Sequence, residues 1–262
     1  MVVIKKLEIS DKIYFREEDV EDYNSLLSEF RYVYGKDIFS PIEFIGELTA
    51  LPTGSLYKID FEKIKNLTDT RPYIEGRDLK IQTTLRPDQQ EIFDLVFKEN
   101  LKSGIVQARC GWGKTFLGCH IIAKAKISTL IVVHTKLLFN QWIEELKGQI
   151  PEANIGTIGD GLFKLGEITV AIYHSLKNHT DTLKNAFTLM IVDEVHRCPA
   201  DVFSNVVNSF ACRHKIGFSA TPTRKDGKHL MLSDYFSPNL WIANDSNVKK
   251  TPFVEIVETA IN

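Results

Sequence analysis

Ala108-Arg-Cys-Gly-Trp-Gly-Lys-Thr115 is the stretch that decides the fold. It follows a short apolar run, residues 105–108, and opens a helix-forming segment, residues 116–124. A strand, a glycine-bearing loop and a helix in that order predict a phosphate-binding loop. The glycines let backbone N–H groups wrap an anion, and the first helical turn adds its partial positive charge. Gly111 and Gly113 supply the bends. Lys114 would reach the β- and γ-phosphates of a nucleotide, and the Thr115 hydroxyl would bind Mg²⁺. Ala108 stands where the signature usually opens with glycine, a variant that narrows the class.

Leu189-Met-Ile-Val-Asp193-Glu194-Val-His196 lies downstream. Here an apolar run delivers two adjacent carboxylates at its tip. Phosphoryl transfer to water needs one carboxylate in the Mg²⁺ shell and one base to orient and deprotonate water. Asp193 fits the first role and Glu194 the second. The 79 positions from Lys114 to Asp193 leave room for about two strand–helix units. Residues 105–108, 130–134, 168–173, 189–193 and 216–220 read as strands with helix-length segments between most of them. That alternation predicts an α/β fold, a parallel sheet with helices on both faces and ligands at the carboxyl ends of its strands.

Residues 1–80 read differently, as a small α+β unit. A strand is expected within residues 2–9, a helix running from the acidic stretch at 17–22 through Tyr34 and ended by Gly35, a turn at 51–54, and another helix at 61–67. This unit carries 12 basic and 16 acidic side chains, while the net charge of the whole chain is −2. Neither residues 1–80 nor residues 81–262 are basic enough to announce nucleic-acid binding by charge alone. Of the 262 residues, 44% are hydrophobic and 25% charged, which excludes a disordered or low-complexity chain. No apolar run approaches the roughly 20 residues that span a bilayer. The first ten residues hold Lys5 and Lys6 and no apolar core, so no signal peptide is read there. Four cysteines without a C-x-x-C pair read as reduced thiols of a cytoplasmic protein, of the host cytoplasm if the source is viral.

The ordered motifs together resemble the superfamily-2 helicases and translocases, over about residues 81–240. Leu85-Arg-Pro-Asp-Gln-Gln90 is similar to the element that reads adenine, which implies Arg86 and Gln89 as its contacts. The phosphate loop is similar to motif I and Asp193-Glu-Val-His196 to motif II. His134-Thr-Lys-Leu-Leu-Phe-Asn-Gln-Trp142 resembles motif Ia, with His134 where proline is usual. Gly156-Thr-Ile-Gly-Asp-Gly161 resembles motif Ib, and Val170-Ala-Ile-Tyr-His-Ser-Leu176 the A-T-Y-x-S-L motif, with Ile172 replacing the usual threonine. Ser219-Ala-Thr221 is similar to motif III, followed by Pro222 and Arg224-Lys-Asp-Gly227. DEVH with that last segment looks closest to the branch that holds the transcription-repair ATPase of eukaryotes and archaea and the recombination helicases of bacteriophages.

The resemblance implies a RecA-like motor domain over residues 81–243, an accessory domain over 1–80 that engages duplex or branched DNA, and a linker from 244–262 toward a second RecA-like domain. The activity implied is ATP-dependent DNA unwinding or translocation in recombination or repair. A duplex pump of a restriction or remodelling complex is the alternative. Ser219 and Thr221 would couple hydrolysis to movement, with His196 either coupling the ATP site to motif III or standing as a satisfied polar residue. Sequence-independent phosphate contacts are implied at Thr135, Gly159 and Ser175, and Arg224 belongs to a basic cluster with Arg213, Lys215, Lys225 and Lys228. Trp112 either packs near the nucleotide or shields the loop, and Trp142 reads as core. With no second domain to close the site, Lys114 and Asp193 are expected to face open solvent.

Overall fold

The computed structural model describes residues 1–195, 206–221 and 227–244. Its first part contains β1 (Lys6–Ile9), β2 (Lys12–Phe15), α1 (Tyr23–Glu29), β3 (Tyr32–Tyr34), β4 (Asp37–Phe39), β5 (Glu43–Ile45), β6 (Leu48–Pro52) and β7 (Asn66–Asp69). Five of these strands form one sheet in the order β5-β6-β2-β1-β7. Side chains alternate across a strand, so β1 buries Leu7 and Ile9 and its antiparallel neighbour β2 buries Ile13 and Phe15. The Asp22 carboxylate caps α1 by accepting the Ser25 N–H, and Leu26 and Phe30 close the same core.

Three expectations for this part are corrected. The helix predicted through Tyr34 stops at Glu29, and residues 32–39 form a separate hairpin of β3 with β4. Tyr32-Val-Tyr34 favours an extended chain, and Gly35, at φ 61°, is the hairpin glycine rather than a helix stop. The helix predicted at 61–67 is a single turn, Phe61–Lys63, followed by β7, whose backbone is satisfied by parallel pairing with β1. The turn predicted at 51–54 is the end of β6 and the start of a short 3₁₀ segment, Thr53–Lys58.

The remainder contains α2 (Pro87–Val96), β8 (Gly104–Gln107), α3 (Lys114–Ala125), β9 (Thr129–Val133), α4 (Lys136–Gln149), β10 (Ile155–Gly159), β11 (Leu162–Lys164), β12 (Ile168–Ile172), α5 (Tyr173–Leu176), α6 (Thr180–Leu183), β13 (Leu189–Val192), β14 (His214–Ser219), α7 (Leu232–Phe236) and β15 (Leu240–Ile242). Eight strands form one sheet in the order β11-β10-β12-β9-β13-β14-β8-β15. Every neighbouring pair is parallel except β10 with β11. All residues of β9 and β13 are buried, as strands covered on both faces must be. Ile131, Val133, Ile191 and Phe218 face a core shared with α2, α3 and α4. Leu130, Val132, Met190 and Val192 face the opposite core, shared with α5, α6 and α7. This is the α/β architecture expected, and its order fixes the site. β14 alone separates β8, which carries the phosphate loop, from β13, which carries Asp193.

The small sheet docks on the large one through α7. The backbone at Gly54 lies so close to that helix that a Cβ there would stand 2.4 Å from the Asp234 carbonyl oxygen. Asp234 is fully buried. It receives the Tyr32 hydroxyl at 2.5 Å and the Lys58 ammonium at 3.1 Å. Lys215 lies near the start of β14 and Arg213 just before it, at the end of the strand remote from Ser219, which is roughly 13 Å from Lys215 at about 3.3 Å per residue. Arg213 is engaged by Asp69 and the Arg71 carbonyl, and Lys215 by the Val207 carbonyl.

Candidate nucleotide site and the neighbouring loops

The loop between β8 and α3 is shaped by two residues in left-handed backbone, Gly111 at φ 76° and Gly113 at φ 98°. Gly113 has a second reason to lack a side chain: a Cβ there would stand 2.6 Å from the Gln89 amide nitrogen. Gln89 is itself buried. Its oxygen accepts the Arg86 backbone N–H at 3.1 Å, closing the start of α2, and its nitrogen donates to the Trp112 carbonyl at 3.2 Å. Arg86 donates to the same carbonyl at 2.7 Å and pairs with Asp88 at 3.1 Å. Arg86 and Gln89 thus brace the back of the loop. Trp112, 1% exposed, packs its ring into the core on the α2–α4 side of the sheet.

Lys114 and Asp193 do not face open solvent as expected; they are 8% and 3% exposed. The Lys114 ammonium turns into the loop, 3.1 Å from the Ala108 carbonyl and 3.3 Å from Glu194 Oε1. Those contacts hold the cation against the loop backbone. Asp193 is enclosed because Trp142 Nε1–H donates to its Oδ2 at 2.8 Å, and the Glu194 N–H donates to its Oδ1 at 2.9 Å. Burial pushes the Asp193 carboxyl above the usual carboxylate range; the Trp142 hydrogen bond opposes that shift, while the neighbouring Glu194 charge adds to it. Glu194 sits at φ 52°, a left-handed conformation that is strained for a residue with a Cβ. Its carboxylate reaches across the tip of β14 to Lys114. The Thr115 hydroxyl, on the first turn of α3, accepts from Gln141 at 3.5 Å.

A cation, a hydroxyl, two carboxylates and a helix N-terminus therefore converge on one point. The donor set fits a nucleotide triphosphate with Mg²⁺: hard oxygen ligands from Thr115 and Asp193, and a loop whose open side at Gly111 has no heavy atom near a built Cβ.

The other implied residues lie along the same edge of the sheet. Thr135 is exposed after β9 and caps α4 by accepting the Leu138 N–H at 3.2 Å. Gly159 ends β10, and a Cβ there would meet Ile172 at 2.8 Å, so the isoleucine in place of threonine fills the space over this glycine. Ser175 lies in α5, directly after β12. Ser219 is fully buried at the end of β14, where its carbonyl accepts the Ala108 N–H at 2.9 Å, and Thr221 is exposed just beyond. His196, Pro222, Arg224, Lys225 and residues 245–262 lie outside the described residues. Sequence reasoning missed Gln141 and the polar half of Trp142. Their partners lie 26 and 51 positions away, and no local pattern signals such contacts.

A phosphate-loop α/β protein of the helicase class is what this strand order and this convergence define. The family described as "Type III restriction enzyme, res subunit" matches residues 82–224, and the chain belongs to it. Among curated relatives it is 38% identical over 170 residues to the DNA 3'-5' translocase XPB2 of Sulfurisphaera tokodaii, covering 65% of this chain and 37% of that protein. It is 29% identical over 243 residues to the probable helicase D10 of Escherichia phage T5, covering 88% of this chain and 52% of that protein. The chain thus spans about a third to a half of the length of these relatives. Among solved structures it is similar in fold to the UvsW helicase of bacteriophage T4, with a TM-score of 0.65, 15% identity, 90% of this chain and 99% of that chain covered. It is also similar to the Sulfolobus solfataricus SWI2/SNF2 ATPase core in complex with dsDNA, with a TM-score of 0.53, 19% identity, and 62% and 37% covered. No helix among the described residues is long and apolar enough to cross a membrane.

Proposed function

We propose that this chain binds and hydrolyses ATP as the first motor domain of a DNA helicase or translocase. The observation that carries the reading is the convergence of Lys114, Glu194 and Asp193 at the mouth of the phosphate loop, across the tip of β14. Loop N–H groups and Lys114 bind the phosphates, with Lys114 exchanging its loop carbonyls for phosphate oxygens. Thr115 and Asp193 would hold Mg²⁺, which supplies charge neutralisation on the phosphates. Glu194 orients a water and takes its proton as the water oxygen attacks the γ-phosphorus and the bond to the ADP oxygen breaks. Arg86 and Gln89, braced beside the loop, form the adenine-facing wall in this reading. Thr135, Gly159, Ser175 and Arg224 contact strand phosphates, which gives binding that weakens with salt. Ser219, Thr221 and His196 couple hydrolysis to movement. A second RecA-like domain closing on this face, DNA-engaging residues 1–80, and action on recombining or damaged DNA in a phage-infected cytoplasm belong to the same proposal. The phage T5 relative supports the last point.

The translocase relative favours a second reading, in which duplex is pumped without strand separation. Two assays on the protein separate them. Strand displacement with ATP supports the helicase reading, and triplex displacement without strand displacement supports the pump. Glu194→Gln is expected to keep nucleotide binding and lose turnover in either case, because the amide is nearly isosteric but cannot accept the proton. Turnover near the wild-type rate in this variant would remove the role given to Glu194.

A further inference from the structure

Trp142 sits at the meeting point of four parts of the site. It is fully buried on α4, and its ring stacks on Phe218 of β14 with centroids 6.3 Å apart. It presses on α3 so closely that a Cβ at Gly118 would lie 2.5 Å from the indole. Its one polar atom, Nε1, points away from this packing and reaches Asp193 Oδ2 at 2.8 Å. A phenylalanine would serve the packing alone. The N–H is the feature that only tryptophan brings, and a buried indole N–H takes a partner where one is offered.

We infer that Trp142 is a positioning residue for the Mg²⁺-binding carboxylate, fixing the plane of Asp193 from helix α4. The inference rests on the proposed nucleotide-site reading and deepens it. Asp193 is gripped from two sides, by Trp142 on Oδ2 and by the Glu194 N–H on Oδ1. A carboxylate offers about two lone-pair directions per oxygen. One donor on each oxygen therefore fixes the carboxylate plane and leaves the remaining lone pairs for a cation. Hydrogen-bond partners behind a metal ligand matter because they hold the ligand in the geometry the ion needs. Their loss typically costs about 10–100-fold in metal affinity or activity. The same side chain ties Asp193 to α4, which Thr135 caps and which carries, in its second turn, Gln141, which reaches Thr115. Both oxygen ligands implied for Mg²⁺ are therefore held by adjacent residues of one helix, Gln141 and Trp142. That helix begins at a residue assigned to strand contact.

The test measures affinity for a fluorescent ATP analogue with Mg²⁺ and with EDTA, together with steady-state ATPase and thermal melting. Trp142→Phe keeps the stack on Phe218 and removes the N–H. It is expected to weaken Mg²⁺-dependent nucleotide affinity about tenfold, to leave the affinity in EDTA unchanged, and to raise the Mg²⁺ concentration needed for half-maximal ATPase. In an Asp193→Asn background the same substitution is expected to have no further effect on the Mg²⁺ response. Gly118→Ala, which displaces the indole without altering it, is expected to act in the same direction. An unchanged Mg²⁺ response in Trp142→Phe overturns the inference. So does equal loss with and without Mg²⁺, which would mark a purely structural role. Lys114→Ala run in parallel keeps the two claims apart. If it retains wild-type binding and turnover the nucleotide-site reading itself fails, whereas its loss beside an unaffected Trp142→Phe removes only the role of Trp142.

Discussion

Lys114 shows what burial does to a residue chosen for its charge. It was expected at the surface, yet it sits inside the loop with Glu194 as its counter-charge. The ion pair is near the surface at one end, since the Glu194 side chain keeps 14% of its exposure. Water reaches the carboxylate at that end, so losing its partner costs less than for a fully enclosed pair. Lys114→Ala is therefore expected to abolish ATP binding and turnover while lowering stability by no more than about 1–2 kcal/mol, below the ~3 kcal/mol of a core truncation. Nucleotide titration and denaturant melting of the same sample check both halves. A loss as large as a core truncation would make Lys114 a structural residue first.

At the scale of elements, β14 joins two incompatible demands. Its carboxyl end delivers Ser219 to the site, and its amino end half-buries His214 and buries Lys215 near Arg71 and Arg213. Burial, followed by the charges of those two arginines, pulls the His214 imidazole down to about 4. In the unfolded chain it titrates near 6.5. Between those values the unfolded chain binds a proton that the folded chain does not. Stability therefore falls as pH drops from about 6.5 and levels off below about 4, a loss of roughly 3 kcal/mol from this one group. Urea unfolding at pH 7, 5.5 and 4.5 is expected to show that decline, and His214→Gln to flatten it. An unchanged slope in the variant would assign the decline to other groups. Burial likewise pulls Lys215 down to about 8, so its charging penalty is complete below that pH and is relieved only as pH rises toward about 10.5.

What could be read from the sequence also divides by element. β8, β9, β12, β13 and β14 announce themselves as short apolar runs because both of their faces are covered. β3, β4, β5 and β15 are three residues each and partly exposed, too short for a period to register. β7 is exposed at every position, and only its pairing with β1 makes it a strand. Within the site, the residues following each buried strand were legible because topology places strand ends together. The braces behind them, Gln89 on the Trp112 carbonyl and Trp142 on Asp193, join distant parts of the chain and became visible only in three dimensions.

Across the whole molecule, the joint between the small and large sheets turns on one buried charge. Asp234 on α7 has no exposed surface, and burial holds its carboxyl above the usual range despite Tyr32 and Lys58. Lys58 comes from the 3₁₀ segment that follows β6 and Tyr32 from the β3–β4 hairpin, so two separate pieces of the first 69 residues converge on one side chain packed against the large sheet. Removing the cation from such a pair leaves a buried charge uncompensated, a loss of about 3–5 kcal/mol. Lys58→Met is expected to lower stability by that order at pH 7, a shift in melting temperature on the order of 10 °C for a chain of this length. The pH dependence identifies the cause. Without Lys58 the folded-state affinity of Asp234 for a proton rises further above its unfolded value. The destabilisation should then shrink as pH falls toward 4 and Asp234 is neutralised. Lys58→Met combined with Asp234→Leu should recover most of the loss at pH 7, because neither charge remains buried. A pH-independent loss, or a double variant no better than Lys58→Met alone, would show that the joint is held by packing at Gly54 and α7 rather than by the ion pair.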